Sequence, residues 1–159
     1  MRMSTLRVTL FGPPAVVVGD QASPARFCAA KPLALVAFLA LERRVHSRDA
    51  LAALLWPEST EAAARASLRQ ALSEVRGCVG EHLRSDRRTV ELVGTVQCDV
   101  QDFLDAVEQD PARAAAYDVR QFLSGLTPKH AGTFDEWRDA TAHTMAQRYE
   151  AALHTLIRD

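Results

Sequence analysis

From Leu6 the chain alternates, with Leu6, Val8 and Leu10 apolar and Arg7 and Thr9 polar, the period-two pattern of a half-buried strand. Gly12-Pro13-Pro14 breaks it. Ala15 to Val18 is a β-branched run that stops at the turn pair Gly19-Asp20, which predicts a second strand. Gln21 to Arg26 reads as loop, and Phe27 as the start of a third short strand. The period then changes. From Pro32, Leu33, Val36, Ala37, Leu39 and Ala40 follow helical spacing, and Pro32 suits a first turn, where its missing N–H costs nothing. This helix is expected to end near Arg43-Arg44, whose charges complement a helix C-terminus. After a turn at Val45-His46, Ser47 is an N-cap for a second helix through Leu55, stopped by Trp56-Pro57. Ser59 or Thr60 caps a third helix, Glu61 to Arg76, with Gly77 in the place of a C-terminal glycine.

Two short segments follow, His82 to Ser85 and Thr89 to Val93, around the turn-like tip Asp86-Arg87-Arg88, and they predict a β-hairpin. Past Val96 the pattern is helical again. Asp99 is an N-cap for a helix with Val100, Phe103, Leu104 and Val107 on one face. Asp110-Pro111 opens a short alanine-rich helix to about Tyr117, Gly125 to Gly132 is a loop, and Phe134 to Ile157 is a long helix. That last helix carries a stripe of Trp137, Thr141, Met145, Tyr149, Leu153 and Leu156, which a homodimer or docking on the rest of the chain would bury. Strands, three helices and a basic-tipped hairpin come in the order of a winged helix-turn-helix. The expected class is therefore α+β: a winged helix-turn-helix with N-terminal β-strands and a C-terminal hairpin wing over residues 1–96, then an all-α, TPR-like segment over residues 97–159.

Charge sharpens this division. The net charge is -1, yet residues 1–96 hold 13 Lys/Arg against 9 Asp/Glu, and residues 97–159 hold 6 against 11. A basic front and an acidic back point to a polyanion partner for the first part only. In the third helix Leu68, Leu72 and Val75 share the core face, while Arg65, Arg69 and Arg76 fall within about 40° of one another on its flank. Ala66, Gln70 and Ser73 continue around the exposed side. The guanidinium fork can grip a phosphate or read guanine, an amide such as Gln70 can read adenine, and small neighbours let a helix approach bases closely. Arg84, Arg87 and Arg88 cluster on the predicted wing, where phosphate charge and a narrow minor groove attract arginine. The alternatives are a solvated charged helix face and a solvent-exposed turn.

The stretches Lys31 to Leu41, Val45 to Pro57 and Ala64 to Arg76 resemble the DNA-binding domain of the SARP-type bacterial regulators, an OmpR-like winged helix joined to a helical bacterial transcriptional activator domain. Phe122-Leu123-Ser124-Gly125 and Phe134-Asp135-Glu136-Trp137-Arg138 are similar to segments of that activator domain, so the resemblance covers nearly the whole chain. It implies a transcription regulator that binds direct repeats of double-stranded DNA near promoters and helps to recruit RNA polymerase. It also implies that Arg65, Arg69, Gln70, Ser73 and Arg76 are groove residues and Arg87 and Arg88 wing contacts. Two positions depart from the family: Glu74 stands where arginine is frequent, and Arg120 where glycine is usual. Relatives continue with further helices, so a longer regulator is expected.

Other classes find little in the residues. Cys28, Cys78 and Cys98 are too widely spaced for a zinc site or a disulfide framework and read as small hydrophobes. The five histidines are scattered, and no nucleophile elbow, metalloprotease helix or phosphate-binding glycine loop occurs, so neither an enzyme nor a cofactor nor a metal is expected. Without a long apolar run or a signal segment, the expected location is cytoplasmic, with no membrane contact. His46 reads as a turn residue, Trp56 as a plug closing the helix-turn-helix, and Trp137 and Tyr149 as core. The rival function is a winged-helix module that binds protein and not DNA.

Overall fold

The computed structural model describes residues 4–21 and 23–158. Strands β1 (Leu6–Thr9) and β2 (Ala15–Val18) form an antiparallel pair with Leu6 opposite Val18. Their alternation predicts this, and Leu6, Val8 and Val16 are buried. Helix α1 (Ala30–Leu41) follows, buried at every residue from Ala34 to Ala40. It stops before Arg43 and Arg44, because Glu42 leaves the helical region and the chain enters strand β3 (His46–Ser47). His46 is therefore not a turn residue. It is buried, stacks on Phe38 with ring centroids 5.0 Å apart, and its Nε2 lies 2.7 Å from the Glu42 carbonyl.

Helices α2 (Arg48–Leu55) and α3 (Glu61–Val79) begin as their capping residues predict. Ser47 Oγ accepts from Ala50 N at 3.0 Å, and Thr60 Oγ1 accepts from Ala63 N at 3.2 Å. α3 runs past Gly77 and ends at Gly80, whose φ of 58° suits glycine. The apolar series Leu68, Leu72, Val75 continues to a buried Val79. Burial of that last valine exceeds the roughly 1 kcal/mol cost of an interior glycine. Strands β4 (Leu83–Ser85) and β5 (Thr89–Leu92) make the expected hairpin, and β3 joins it with Ser47 opposite Thr89, giving a sheet of order β3-β5-β4.

Phe27 forms no strand. The third strand of the first sheet is β6 (Val96–Cys98), parallel to β1, which gives the order β2-β1-β6. It leads directly into α4 (Asp99–Gln109), and here the expected cap is corrected. Asp99 is the first helical residue, and its carboxylate does not cap α4 but accepts from Leu10 N at 2.8 Å and Phe11 N at 3.0 Å. Helix α5 (Pro111–Ala115) is shorter than expected and is capped by Asp110, and a 3-10 turn covers Val119–Gln121. The segment after it is laced to the end of β1: Gly12 N donates to Gln121 O, and Leu123 N donates to Leu10 O.

Helix α6 (Gly132–Arg158) completes the six α-helices among the described residues. It packs on α2, α4 and α5, which covers much of its apolar stripe. Phe134 and Met145 are buried, Trp137 meets Phe38 edge-on at 5.0 Å, and Tyr149 Oη donates to Ala115 O. Leu156 and Ile157 remain exposed. The class is α+β, with two small sheets and the helices around one continuous buried cluster.

Two tests follow from this packing. Asp99→Ala strips two half-buried backbone donors of their acceptor and is expected to lower stability by about 2–4 kcal/mol, read by urea denaturation, with Asp99→Asn in between. Burial pushes the Cys98 thiol up to about 11. A raised pKa keeps its stabilising effect below the ordinary value of 9.0 and loses it as pH climbs toward 11. Stability is thus expected to fall across that window in wild type and to fall less in Cys98→Ala, and a thiol reagent at neutral pH should label the exposed Cys28 but not Cys98.

Candidate nucleic-acid interface

The arginines picked out by the sequence come from three elements, and the fold sorts them. Arg65 and Arg69 on α3 meet Arg87 and Arg88 at the hairpin tip across a cleft of about 370 Å³, whose remaining lining is Ser47, Arg48, Asp49 and Leu68. The β3–β5 pairing brings the tip here, by laying the start of α2 against the hairpin. Arg48 is the residue that sequence reasoning missed. Its Nε donates to Asp86 O at 2.6 Å and its backbone N to Arg88 O at 2.8 Å, so α2 and the tip are tied together. Only the two-residue strand before it explains this position, and a two-residue strand has no readable period.

The tip itself is shaped by one carboxylate. Asp86 Oδ1 accepts from Arg88 N and Thr89 N, each at 2.8 Å, and from Thr89 Oγ1 at 3.1 Å. These donors, the Arg88 amide foremost, hold its pKa below the usual carboxylate value of 3.8. The two arginines of the tip are thereby presented on a hydrogen-bonded turn.

The other candidates are placed differently. Arg76 donates to Ser85 Oγ at 2.7 Å and to Leu83 O at 3.4 Å, which braces β4 against α3. Arg84 pairs across the hairpin with Glu91 at 3.4 Å. Ser73 is exposed on α3. Gln70 lies on the other flank, in a groove of about 610 Å³ that it shares with Lys31, Trp56, Ser67, Glu74 and Lys129. Glu74 does not face the arginines: its carboxylate accepts from Cys28 N at 2.6 Å. Between the two flanks α3 shows solvent only small side chains and Gln70, with Ala62, Ala63, Ala66, Ser73 and Gly77 exposed.

Electrostatically the cleft is under-neutralised, with five arginines and one acid, Asp49, on its lining. Among the described residues, Arg48, Arg69, Arg87 and Arg88 have no carboxylate within 4 Å, and Arg65 has only the exposed Glu61 at 4.0 Å. Like charges gathered in this way raise one another's energy, which an anion seated among them would relieve. No group of three metal-binding side chains and no helix long and apolar enough to cross a membrane occurs among the described residues.

Asp86→Ala is expected to speed amide hydrogen exchange at Arg88 and Thr89 while leaving α1 protected. In wild type the same loosening should set in only as pH falls below the ordinary carboxylate value of 3.8, because a depressed pKa contributes its stability above that value and loses it on acidification.

No family model and no curated protein matches the chain. Among solved structures it is similar to Mycobacterium tuberculosis EmbR in complex with a low affinity phosphopeptide, with a TM-score of 0.67 and 21% sequence identity. The match covers 92% of this chain and 43% of EmbR, so the chain spans under half the length of that neighbour and shares its fold over nearly all of its own.

Proposed function

We propose that the chain is a sequence-specific double-stranded-DNA-binding transcription regulator of the SARP type. In this reading the first part is a winged helix-turn-helix: α2 and α3 are the helix-turn-helix, α3 is the recognition helix and the β4–β5 hairpin is the wing. The helical remainder is the beginning of a TPR-like activator domain. The observation that carries the reading is the cleft in which Arg48, Arg65, Arg69, Arg87 and Arg88 converge with Asp49 as the one acid of the lining, beside an α3 face made of small side chains.

An α-helix with its side chains is about 10–12 Å across and a major groove about 12 Å wide, so the fit is close, and small residues on the leading face let the helix approach the base edges. Alanines and a serine on α3 allow that approach. Arg48 and the arginines at the wing take backbone phosphates, which fix register and orientation but carry no sequence information. Sequence is then read by few groups, with Gln70 and the ends of Arg65 and Arg69 the best placed. Arg76 contributes indirectly, by setting the angle between helix and wing. The family resemblance and the EmbR-like fold support the same reading. The family resemblance further implies binding at promoter direct repeats and contact with RNA polymerase, and the proposed location is cytoplasmic. The function is binding, with no catalysis of its own.

Selection from a random duplex library at about 150 mM salt tests this. Wild type should enrich a short motif, and its affinity should fall with a log–log salt slope of about -4 to -6. Arg65→Ala/Arg69→Ala should remove the enrichment and flatten the slope by about two. A folded wild type that enriches no duplex would favour a winged-helix protein-interaction module instead.

A further inference from the structure

The groove on the other flank of α3 holds the chain's two lysines, Lys31 and Lys129, brought together from segments almost a hundred positions apart. Neither has a carboxylate within 4 Å among the described residues. Lys31 extends from the first turn of α1 across Trp56, its Nζ 5.1 Å from the ring centroid. Lys129 sits on the loop before α6, which is held at both ends. Arg138 Nη1 donates to Leu126 O at 3.3 Å, and His130 Nδ1 lies 3.3 Å from a Glu58 carboxylate oxygen. The two acids beside the groove keep their charge: Glu58 lies against His130 and acts on Lys31 from beyond 4 Å, and Glu74 accepts from the Cys28 amide. Neither contacts an ammonium group directly, so both lysines can still meet an outside anion.

Position decides what they fit. Gln70 and Ser67, which line the groove with the lysines, lie about 100–180° around α3 from the arginine stripe. The exposed small-residue face separates the two flanks. A helix seated in a major groove has a phosphate strand on either side of it, because its diameter nearly equals the groove width. One flank then meets one strand and the opposite flank the other.

We propose that Lys31 and Lys129 form a second phosphate-contact site, for the DNA strand opposite the one held by the arginine cleft, so that α3 is clamped in the groove from both sides. The proposal rests on the DNA-binding reading and deepens it. It also gives the second part of the chain a direct role, since Lys129 lies beyond the hairpin wing, on the loop that leads into α6. Lysine suits such a contact, because a compact point charge on a flexible stem adapts to a backbone phosphate without demanding the fixed geometry of a base edge. The site should add affinity equally for all sequences.

Two lysines make a direct test possible. The protein would be acetylated with a water-soluble amine reagent, alone and saturated with the selected duplex, and modification followed site by site by mass spectrometry. Lys31 and Lys129 should both be protected several-fold by the duplex. In parallel, Lys31→Ala/Lys129→Ala should bind about tenfold more weakly at about 150 mM salt and flatten the salt slope by about one to two, with the selected motif unchanged. Lys31→Arg/Lys129→Arg should restore both, and circular dichroism on each variant separates lost contacts from lost folding. The proposal is overturned if the duplex leaves both lysines fully reactive and the alanine pair binds with the wild-type slope; the DNA-binding reading survives that result if Arg65→Ala/Arg69→Ala still abolishes binding. It is overturned together with that reading if the folded wild type enriches no duplex at all.

Discussion

Helix α1 has no solvent face from Ala34 to Ala40, and the rest of the molecule is arranged by the need to cover it. A helix that is apolar all round is stable in water only when wrapped on every side. Here α2, α3, the hairpin and β6 supply the wrapping, and a helix from the acidic half of the chain completes it. Phe38 is the meeting point: His46 packs on it from the strand before α2, and Trp137 from α6. Glu42, one residue past the helix, accepts from the indole N–H of Trp137 at 3.1 Å while its carbonyl lies against His46. One helix end thus sets the position of α2 and of α6 together.

This scaffold explains how five arginines can share a cleft. Each would reduce its repulsion by moving into solvent, and arginine side chains are long enough to do so. What cannot move is the backbone that carries them. Leu68 is buried between Arg65 and Arg69, Arg48 is tied to the tip through its own amide, and Asp86 closes the turn that holds Arg87 and Arg88. The repulsion is a standing cost that an anion seated among them would relieve. The backbone of the cleft is fixed in advance, while the exposed arginine side chains would still have to be ordered by whatever they hold.

The sequence made long-period features legible and short ones obscure. The strand alternation at Leu6–Leu10, the caps Ser47 and Thr60 and the hairpin around Asp86-Arg87-Arg88 each carry a local chemical signal, and all are present in the fold. The β3 pair and β6 have two and three residues, too few to show a period, and exist because of what they pair with. Gly77 misled for a related reason: a local breaker was outweighed by burial of Val79 two residues on. Asp99 misled because a carboxylate at a helix start has two uses, and its second, holding β1, depends on a contact 89 residues away. At the site, helical spacing grouped Arg65 and Arg69 with Arg76. It could not show that Arg76 is committed to Ser85, nor that Arg48 completes the cleft.

The commitment of Arg76 bears on how specificity would arise. If the hairpin is a wing and α3 a recognition helix, as proposed, a fixed angle between them would admit only one pose on DNA, and the groups on α3 would meet the same base edges each time. The brace from Arg76 to β4 and the Arg48 tie to the tip fix that angle from two sides, one through α3 and one through α2. With the pose fixed, discrimination can rest on very few contacts, since a misplaced base edge cannot be accommodated by tilting the helix. A face of small side chains with Gln70 at its edge would fit this economy: in the proposed reading most of α3 brings the helix close, and little of it needs to read.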